Sequence, residues 1–127
     1  MKPGRGSILI LLLLGWMWLA PVLPALAQGP PAPKALPVLL EFDRKHCPVC
    51  RASESVILAV KGQYPGQFVV RKLYIDEEAY LFRRYQVVIV PSQVFLDPAG
   101  REVYRHEGVF KIKDLIQKLR DLKFIRD

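Results

Sequence analysis

The only two cysteines of this chain, Cys47 and Cys50, are separated by two residues in the segment Cys-Pro-Val-Cys. Two thiols at this spacing can close a disulfide within one helical turn. The segment follows strand-like residues and opens a helix-like pattern, so Cys47 meets the unpaired N–H groups and positive dipole end of a helix, which favour a thiolate. The pattern predicts a redox-active dithiol in which Cys47 attacks and the more buried Cys50 resolves the mixed disulfide.

Other uses of two close cysteines leave different traces in a sequence. A structural staple that closes only four residues removes little chain entropy from the unfolded state, so it stabilises weakly. Covalent haem attachment needs a histidine directly after the second cysteine, where this chain has Arg51. A zinc or copper module would need a histidine as well, and His46 is awkwardly adjacent to Cys47. A metal-binding module and a non-catalytic adaptor stay open as alternatives. For redox exchange itself we expect neither a metal nor a cofactor, because the Cys47–Cys50 disulfide is the reactive group.

The residues around the two cysteines could tune them. Pro48 is tolerated in the first turn of a helix because no N–H is needed there. A protonated His46 would stabilise the thiolate of Cys47 and make the disulfide more oxidising, whereas the alternative is an exposed loop histidine without a role. The chain has one other histidine, His106, which we expect to be structural or exposed to solvent.

The first 27 residues have the order of an export signal. Lys2 and Arg5 precede an uncharged stretch, residues 7–27, which ends in Ala-Leu-Ala. This order predicts a signal peptide that is cleaved before Gln28. An uncleaved membrane anchor is the alternative, because the stretch approaches the ~20 residues that span a bilayer. Both interpretations predict an exported protein, periplasmic or otherwise extracytoplasmic, and the second adds a membrane tether through residues 7–27.

Charge gives no indication of a nucleic-acid partner. The chain has 19 Lys and Arg against 12 Asp and Glu, and loss of residues 1–27 would leave 17 against 12, a net charge of +5. The basic residues interleave with acids, without a basic block or a platform of aromatic residues, which indicates a solvated surface. We expect a monomer whose partners are proteins.

Residues 28–36 are rich in proline and predict an extended linker before a single domain, residues 37–127. Hydrophobic periodicity and turn signals predict an α/β domain with the order β-α-β-α-β-β-α. Strands joined through helices should be parallel and the tight-turn pair antiparallel, which gives a four-stranded mixed sheet flanked by helices. The predicted elements are strands 37–42, 68–75, 92–96 and 102–106 and helices 47–61, 77–85 (capped by Asp76) and 110–122, whose residues Ile112, Leu115, Ile116, Leu119 and Leu122 share one face.

This order, with Cys-x-x-Cys after the first strand, resembles the thioredoxin fold, a three-layer sandwich. The resemblance covers about residues 37–122 and is carried by four further features. These are Leu40-Glu41-Phe42 before the cysteines, Lys72-Leu73-Tyr74-Ile75-Asp76, the segment 85–92 that ends in Val90-Pro91-Ser92, and Gly108 after the last strand. It implies a thiol–disulfide oxidoreductase that contributes to cell redox homeostasis by acting on protein thiols and disulfides, together with a redox partner protein.

The resemblance also implies roles for residues away from the cysteines. Glu41 alternates with apolar neighbours in its strand, so pleat parity and the resemblance place its carboxyl inside the protein. There it could relay a proton to or from Cys50. A solvent-facing glutamate is the alternative. The Val90-Pro91 bond should be cis and lie against the dithiol, where it would offer the Val90 backbone to an extended substrate and exclude metal ions. With His46, Pro48 and Val49, these two residues form the expected substrate-binding set.

Two departures from the thioredoxin pattern concern the direction of electron flow. His46 replaces the usual tryptophan, and Pro48-Val49 replaces Gly-Pro between the cysteines. The extra N-terminal strand and helix of full thioredoxin are also missing, so the domain resembles the minimal version. We expect a reductant, but the direction depends on a few kcal/mol of thiolate stabilisation that the sequence does not specify.

Overall fold

A computed structural model describes residues 33–127 of the chain. The predicted signal peptide or anchor, residues 1–27, and residues 28–32 of the predicted linker lie outside the described residues. The rest of the linker has no regular secondary structure. Between residues 33 and 127, no helix combines the length and the hydropathy needed to cross a membrane.

The seven elements follow the predicted order β-α-β-α-β-β-α, which confirms the α/β fold class. They form one four-stranded sheet with the strand order β2-β1-β3-β4. The strands are β1 Val38–Asp43, β2 Val69–Tyr74, β3 Ser92–Leu96 and β4 Glu102–Glu107, and the helices are α1 Pro48–Gln63, α2 Ile75–Arg84 and α3 Ile112–Asp121.

The direction of β3 differs from the prediction. The strands β1 and β2 are parallel, as expected for strands joined through a helix, but β3 follows α2 and runs antiparallel to β1. The ten-residue α2 and its loop return the chain to the edge where β2 ended, so Ser92 pairs with Phe42 at the carboxyl end of β1. This return brings Pro91 to the same edge of the sheet as the cysteines.

Both faces of the sheet are covered, which gives the expected three layers. Helices α1 and α3 cover one face, where Leu39 and Phe95 belong to a core cluster with Ile57 and Leu119. On the other face α2 packs its buried Leu81 and Phe82 against residues of the opposite parity in the same strands. Burial on both sides explains why almost every residue of β1 and β3 is buried.

Two helices begin differently from the prediction. Helix α2 starts at Ile75, directly at the end of β2, so Asp76 lies in its first turn instead of capping it, and the N-cap Tyr74 makes no side-chain hydrogen bond. Helix α3 starts at Ile112, because Phe110 is buried in the core before the helix begins. Its inward face includes the predicted Leu115, Ile116, Leu119 and Leu122, but Ile112 is 43% exposed.

The strand register places two rows of side chains on the face that α1 and α3 cover. Paired residues of neighbouring strands project to the same side of a sheet. The first, which we call the apolar row, contains Val70, Leu39, Phe95 and Tyr104. The second, which we call the polar row, lies two residues along each strand, closer to the cysteines, and contains Lys72, Glu41, Gln93 and His106.

Candidate redox site

The two cysteines form a disulfide at the start of α1, with 5.2 Å between their Cα atoms. Cys47 is the N-cap of the helix, and its Sγ accepts a hydrogen bond from the Cys50 backbone N–H at 3.2 Å. Pro48 occupies the first turn, where its missing N–H leaves no gap in the hydrogen bonding. Cys50 is only 2% exposed, whereas Cys47 is partly exposed. An incoming sulfur atom can therefore reach Cys47 much more easily than Cys50.

A groove of about 540 Å³ runs beside Cys47. Three of the predicted substrate-binding residues, His46, Pro48 and Val90, line it. Its other wall includes Val88 and Ile89, which are 88% and 51% exposed. This wall was not predicted, although Val87-Val88-Ile89-Val90 is an apolar run that precedes a proline. Exposed apolar side chains in a groove favour contact with another chain over contact with water.

The other two predicted substrate-binding residues do not line this groove. Val49 is exposed on the first turn of α1, and Pro91 is buried. The Val90-Pro91 peptide bond is cis, as the resemblance implies, and the Pro91 carbonyl accepts a hydrogen bond from the Gly108 N–H at 2.8 Å. Val90 thus lines the groove, while the Pro91 carbonyl is hydrogen-bonded to the loop after β4.

His46 lies in the short turn between β1 and α1. It has a left-handed backbone conformation with φ 59°, which is uncommon for a residue other than glycine. Its side chain is exposed and contributes both to the large groove and to a smaller cleft on the opposite side of Cys47. The turn therefore places His46 next to the more accessible sulfur.

Glu41 points inward, as pleat parity predicts, and is 1% exposed. Burial raises its pKa from 4.5 to about 7; the neighbouring charge of Asp43 adds to the rise, and a hydrogen bond from Ser53 opposes it. Ser53 lies three residues after Cys50 in α1, so both side chains project from the same face of the helix. Ser53 therefore links the acid to the cysteine-bearing helix, one turn after Cys50.

Three charged residues of the site were missed by sequence reasoning. Asp43 is completely buried, and Lys72 Nζ lies 3.2 Å from its Oδ2 and 2.7 Å from Oε2 of Glu54. Burial raises the pKa of Asp43 against the lowering effect of the Lys72 charge. Burial alone would lower the pKa of Lys72, but hydrogen bonding to Glu54 and the nearby Asp43 raise it. Asp43 has the same strand parity as Glu41, which was an available signal.

A second cleft, of about 270 Å³, opens on the β2 side of the disulfide. Cys47, Cys50, Glu54 and Lys72 all contribute to its lining. The ion pair between Lys72 and Glu54 therefore lies between solvent and the buried acids of β1. Exposed basic residues surround the mouth of the cleft, namely Arg44, Lys45 and Arg51.

Gln93 and Ser53 are two further buried polar residues that sequence reasoning missed. Gln93 is completely buried, and its Nε2 donates to Ser53 Oγ at 2.9 Å and to the Gly108 carbonyl at 3.2 Å. Gln93 and Ser53 lie 40 residues apart in the chain. Together with Glu41 they connect three elements, β1, α1 and β3, below the cysteines.

The second histidine lies at the far end of the polar row. His106 stacks on Phe110 with 3.7 Å between ring centroids, and burial lowers its pKa. Within residues 33–127, no three His, Cys, Asp or Glu side chains are grouped as metal ligands. The structure therefore brings together around the dithiol one exposed histidine, His46, and the buried polar residues Glu41, Ser53 and Gln93, whereas His106 packs on Phe110.

Comparisons with known proteins place these observations in a wider context. The family model of the thioredoxin-like domain matches residues 32–123. The chain is 32% identical over 59 residues to thioredoxin-1 of Drosophila melanogaster. The matched segment covers 46% of this chain and 55% of that protein. It is 28% identical over 86 residues to the bifunctional thioredoxin reductase/thioredoxin of Mycobacterium leprae, which covers 68% of this chain. The chain spans about half of the first relative and 19% of the second.

Solved structures agree with the family match. A thioredoxin-like protein from Clostridium perfringens superimposes with a TM-score of 0.66 at 25% identity, covering 73% of this chain and 75% of the other. Thioredoxin-2 of a malaria parasite, a component of that parasite's protein secretion machinery, superimposes with a TM-score of 0.64 at 20% identity. This second match covers 68% of this chain and 82% of the other, and it supports the fold alone.

Proposed function

We propose that this chain, which belongs to the thioredoxin-like domain family, is a thiol–disulfide oxidoreductase that exchanges its Cys47/Cys50 pair with protein substrates. One observation carries the proposal. The disulfide lies at a helix N-terminus with one sulfur accessible from an apolar groove and the other buried above a carboxyl with a pKa near neutrality. This arrangement supplies an attacking sulfur, a resolving sulfur and a proton acceptor.

The reaction is a two-step exchange in which the dithiol loses two electrons. In the reduced protein the Cys47 thiolate attacks a substrate disulfide, forms a mixed disulfide with one substrate sulfur and releases the other as a thiolate. Cys50 then loses its proton and attacks Cys47 Sγ. The Cys47–Cys50 disulfide forms, the second substrate sulfur leaves as a thiolate, and both released thiolates take protons from water or from the site. The reverse sequence would oxidise a substrate dithiol.

Glu41 is the residue that we assign to the Cys50 proton. A carboxyl with a pKa of about 7 is present in both protonation states near neutral pH, so it can accept this proton in one direction and return it in the other. Its connection to the cysteine-bearing helix runs through Ser53, one turn after Cys50. The group relays a proton and takes no part in the sulfur bonds.

The groove favours an extended protein segment as substrate. Val88 and Ile89 offer apolar surface on one side of Cys47, and Val90 can offer its backbone groups to a chain that lies across the groove. Pro48 and His46 line the groove on the helix side, Val49 is exposed next to them on the first turn of α1, and Pro91 is buried next to Val90. Such a surface suits partially unfolded proteins with an exposed disulfide, and a redox partner protein would use the same groove.

We assign the reducing direction to the proposed reaction. Buried carboxyls destabilise a nearby thiolate, which favours the disulfide form and makes the dithiol a better electron donor. Three acids lie on the Cys50 side, Glu41, Asp43 and Glu54, with Lys72 as their one close cation among the described residues. The exposed basic residues nearby favour the thiolate, but solvent screens them more strongly.

The reduction potential tests this direction. Equilibration of the Cys47/Cys50 couple with glutathione, read by thiol alkylation, should give a value closer to about −270 mV, as in thioredoxin, than to about −120 mV, as in strong oxidants. A value at the oxidising end would reverse the direction and leave the exchange chemistry intact.

Cysteine substitutions test the exchange itself. Cys47→Ala should abolish insulin reduction, because no accessible sulfur remains to attack. Cys50→Ala should retain the attack but lose its resolution, so mixed disulfides with substrates should accumulate on non-reducing gels. Ser55→Ala, an exposed α1 position, is the matched control and should behave as the wild type. Full insulin reduction by both cysteine variants would disprove the proposed function.

Export is part of the proposal and rests on residues 1–27 of the sequence. The basic residues Lys2 and Arg5, the uncharged stretch 7–27 and its Ala-Leu-Ala end support translocation and cleavage before Gln28. N-terminal sequencing of the protein made from the full chain in a bacterial host should find Gln28 first, in the periplasmic fraction. An intact N-terminus in the membrane fraction would instead establish the tether, and an intact soluble cytoplasmic protein would contradict export.

A further inference from the structure

We propose that Gln93 is a positioning residue that orients the Ser53 hydroxyl toward Glu41 and ties this acid to the Pro91 segment through Gly108. The inference deepens the proposed exchange reaction and rests on it for its functional meaning. It concerns a chain of hydrogen bonds that joins Ser53, Gln93, Gly108 and Pro91, with the Glu41 carboxyl at the Ser53 end. Every link of the chain is a contact between residues that are buried or partly buried.

The orientation of the Gln93 amide is determined by Gly108. The Gly108 carbonyl can only accept a hydrogen bond, so the amide must present its Nε2, which lies 3.2 Å away. The same nitrogen lies 2.9 Å from Ser53 Oγ, so each of its two hydrogens has an acceptor. Gln93 therefore acts as a donor at both contacts.

This orientation decides which way the Ser53 hydroxyl points. A serine oxygen that accepts from Gln93 keeps its single hydrogen for another acceptor. In the proposed chain that acceptor is the Glu41 carboxyl, whose pKa the Ser53 hydroxyl lowers. Ser53 is thus the donor and the carboxyl is the acceptor. Glu41 Oε1 has no hydrogen-bond partner within the described part of the chain, so it is the oxygen left to bind or release a proton.

The far end of the chain reaches the substrate groove. Gly108 accepts from Gln93 through its carbonyl and donates to the Pro91 carbonyl through its N–H at 2.8 Å. Its φ of 94° belongs to the left-handed region that favours glycine. One residue therefore links the Gln93 amide with the segment that presents the Val90 backbone to a substrate.

Other titratable groups also face Glu41 or its chain and must be considered in a pH experiment. Asp43 projects from β1 on the same face, and Lys72 from β2 pairs with Asp43 and Glu54. Glu54 comes from α1, and His106 lies opposite Gln93 on β4. The two cysteines do not titrate in the oxidised protein, because they form a disulfide. Because none of these contacts depends on the Gln93 amide, its replacement should change the Glu41 environment mainly through Ser53.

The test is the titration of Glu41 in the oxidised protein, followed by ¹³C NMR of its side-chain carboxyl. Gln93→Met keeps the approximate volume and removes the donor, so the Ser53 hydroxyl can turn away from the carboxylate. The midpoint should rise by about half to one pH unit, as expected for the weakening of one hydrogen bond to a charged group. Ser53→Ala should raise it at least as much.

The double variant distinguishes positioning from packing. If Gln93 acts through Ser53, then Gln93→Met should add little to the midpoint of Ser53→Ala. Gln117→Met is the matched control, because Gln117 is exposed on α3 and bonds Asp121, and it should leave the Glu41 titration unchanged. Gln93→Leu provides a second apolar replacement in case the Met variant does not fold.

The inference would be overturned if the titration midpoint of Glu41 were unchanged in a folded Gln93 variant, or if the two substitutions shifted this midpoint additively in the double variant. A loss of stability in urea unfolding would not rescue it. The pH profile of the Cys50 resolving step, measured with reduced protein, should shift in the same direction as the titration. The NMR titration needs no turnover, so its result is independent of insulin reduction. Failure of the positioning role and failure of the oxidoreductase function can therefore be told apart.

Discussion

The apolar row and the polar row occupy the same face of one sheet, two residues apart on every strand, yet they have opposite effects on the stability of the fold. Leu39 and Phe95 of the apolar row are completely buried and pack against Ile57 of α1. Glu41 and Gln93 of the polar row are equally buried but meet Ser53 of the same helix. One row therefore supplies core stability, and the other places a proton-binding group under the dithiol at a cost in stability.

Helix α1 matches this division along its own length. Cys50 and Ser53 face the polar row near the helix start, while Ile57 and Val60, four and seven residues after Ser53, lie in the core cluster. These spacings put all four residues on one face of the helix. The same stripe of α1 thus changes from polar to apolar within two turns, in step with the sheet below it.

The largest expected effect comes from breaking the apolar row. Leu39→Ala should lower the free energy of unfolding by about 3 to 4 kcal/mol, through lost burial and the cavity that remains. The rate of exchange per folded molecule should stay near the wild-type value, because Leu39 is in the neighbouring row. Urea unfolding of the oxidised protein measures the first quantity and insulin reduction in dilute buffer the second.

The matched control for this change is Leu58→Ala. Leu58 lies on the solvent-facing side of α1 and is 54% exposed. The same truncation there should therefore lower the free energy of unfolding far less. Similar losses at both positions would mean that the apolar row has no special share of the stability.

An intermediate effect should follow from Glu41→Gln, and it should depend on pH. The pKa of Glu41 is about 7 in the folded protein, against an ordinary value of 4.5. The folded state thus holds the proton more tightly, so this group's contribution to stability is fully present below pH 4.5 and is lost as the pH rises through about 7. The loss is on the order of 3 kcal/mol.

Glutamine stays neutral at every pH, so the variant should be more stable than the wild type at about pH 8 and similar to it at about pH 5. Asp43, whose pKa burial also raises, contributes in the same direction to both proteins. Urea unfolding at a series of pH values measures the difference. A difference in stability that stays constant across this range would contradict a raised Glu41 pKa. Near neutral pH the variant should also resolve mixed disulfides more slowly, because it lacks the proposed proton acceptor.

The smallest expected effect compares two neighbouring cations of β2. Lys72→Met removes the partner of the buried Asp43 and should destabilise the protein by about 1 to 3 kcal/mol at about pH 8, where the acid is left unpaired. The loss should shrink at a lower pH, because burial raises the pKa of Asp43 and a protonated Asp43 needs no cation. Arg71→Met, which breaks an exposed pair with Glu78, should cost no more than about 0.5 kcal/mol.

Thermal unfolding of the two variants at both pH values tests the comparison. Equal effects of Lys72→Met and Arg71→Met would show that the polar row does not depend on Lys72, the cation that pairs with the buried Asp43. If the destabilisation by Lys72→Met did not depend on pH, then the lysine would stabilise the protein through the packing of its side chain and not through its charge.

Local sequence signals predicted the parts of the site that depend on neighbours in the chain. The helix start at Cys47 and the burial of Cys50 follow from spacing and capping. Pleat parity allowed Glu41 to point inward, and the resemblance to thioredoxin favoured that direction over a solvent-facing one. The same parity extends to Asp43, which could have been predicted from it. The resemblance to thioredoxin supplied the Val90-Pro91 segment, which local patterns alone would have left as an ordinary loop before a strand.

The sequence alone was enough to predict the element order and the position of the dithiol at a helix start, because periodicity, turns and helix caps act over a few residues. Three features became known only from the folded chain: β3 runs antiparallel to β1, Lys72 joins Asp43 to Glu54, and Gln93 contacts Ser53 across 40 residues of chain. These contacts depend on strand order and register, which are set by how whole faces of helices and strands pack together. A single residue's spacing in the chain carries no record of that packing.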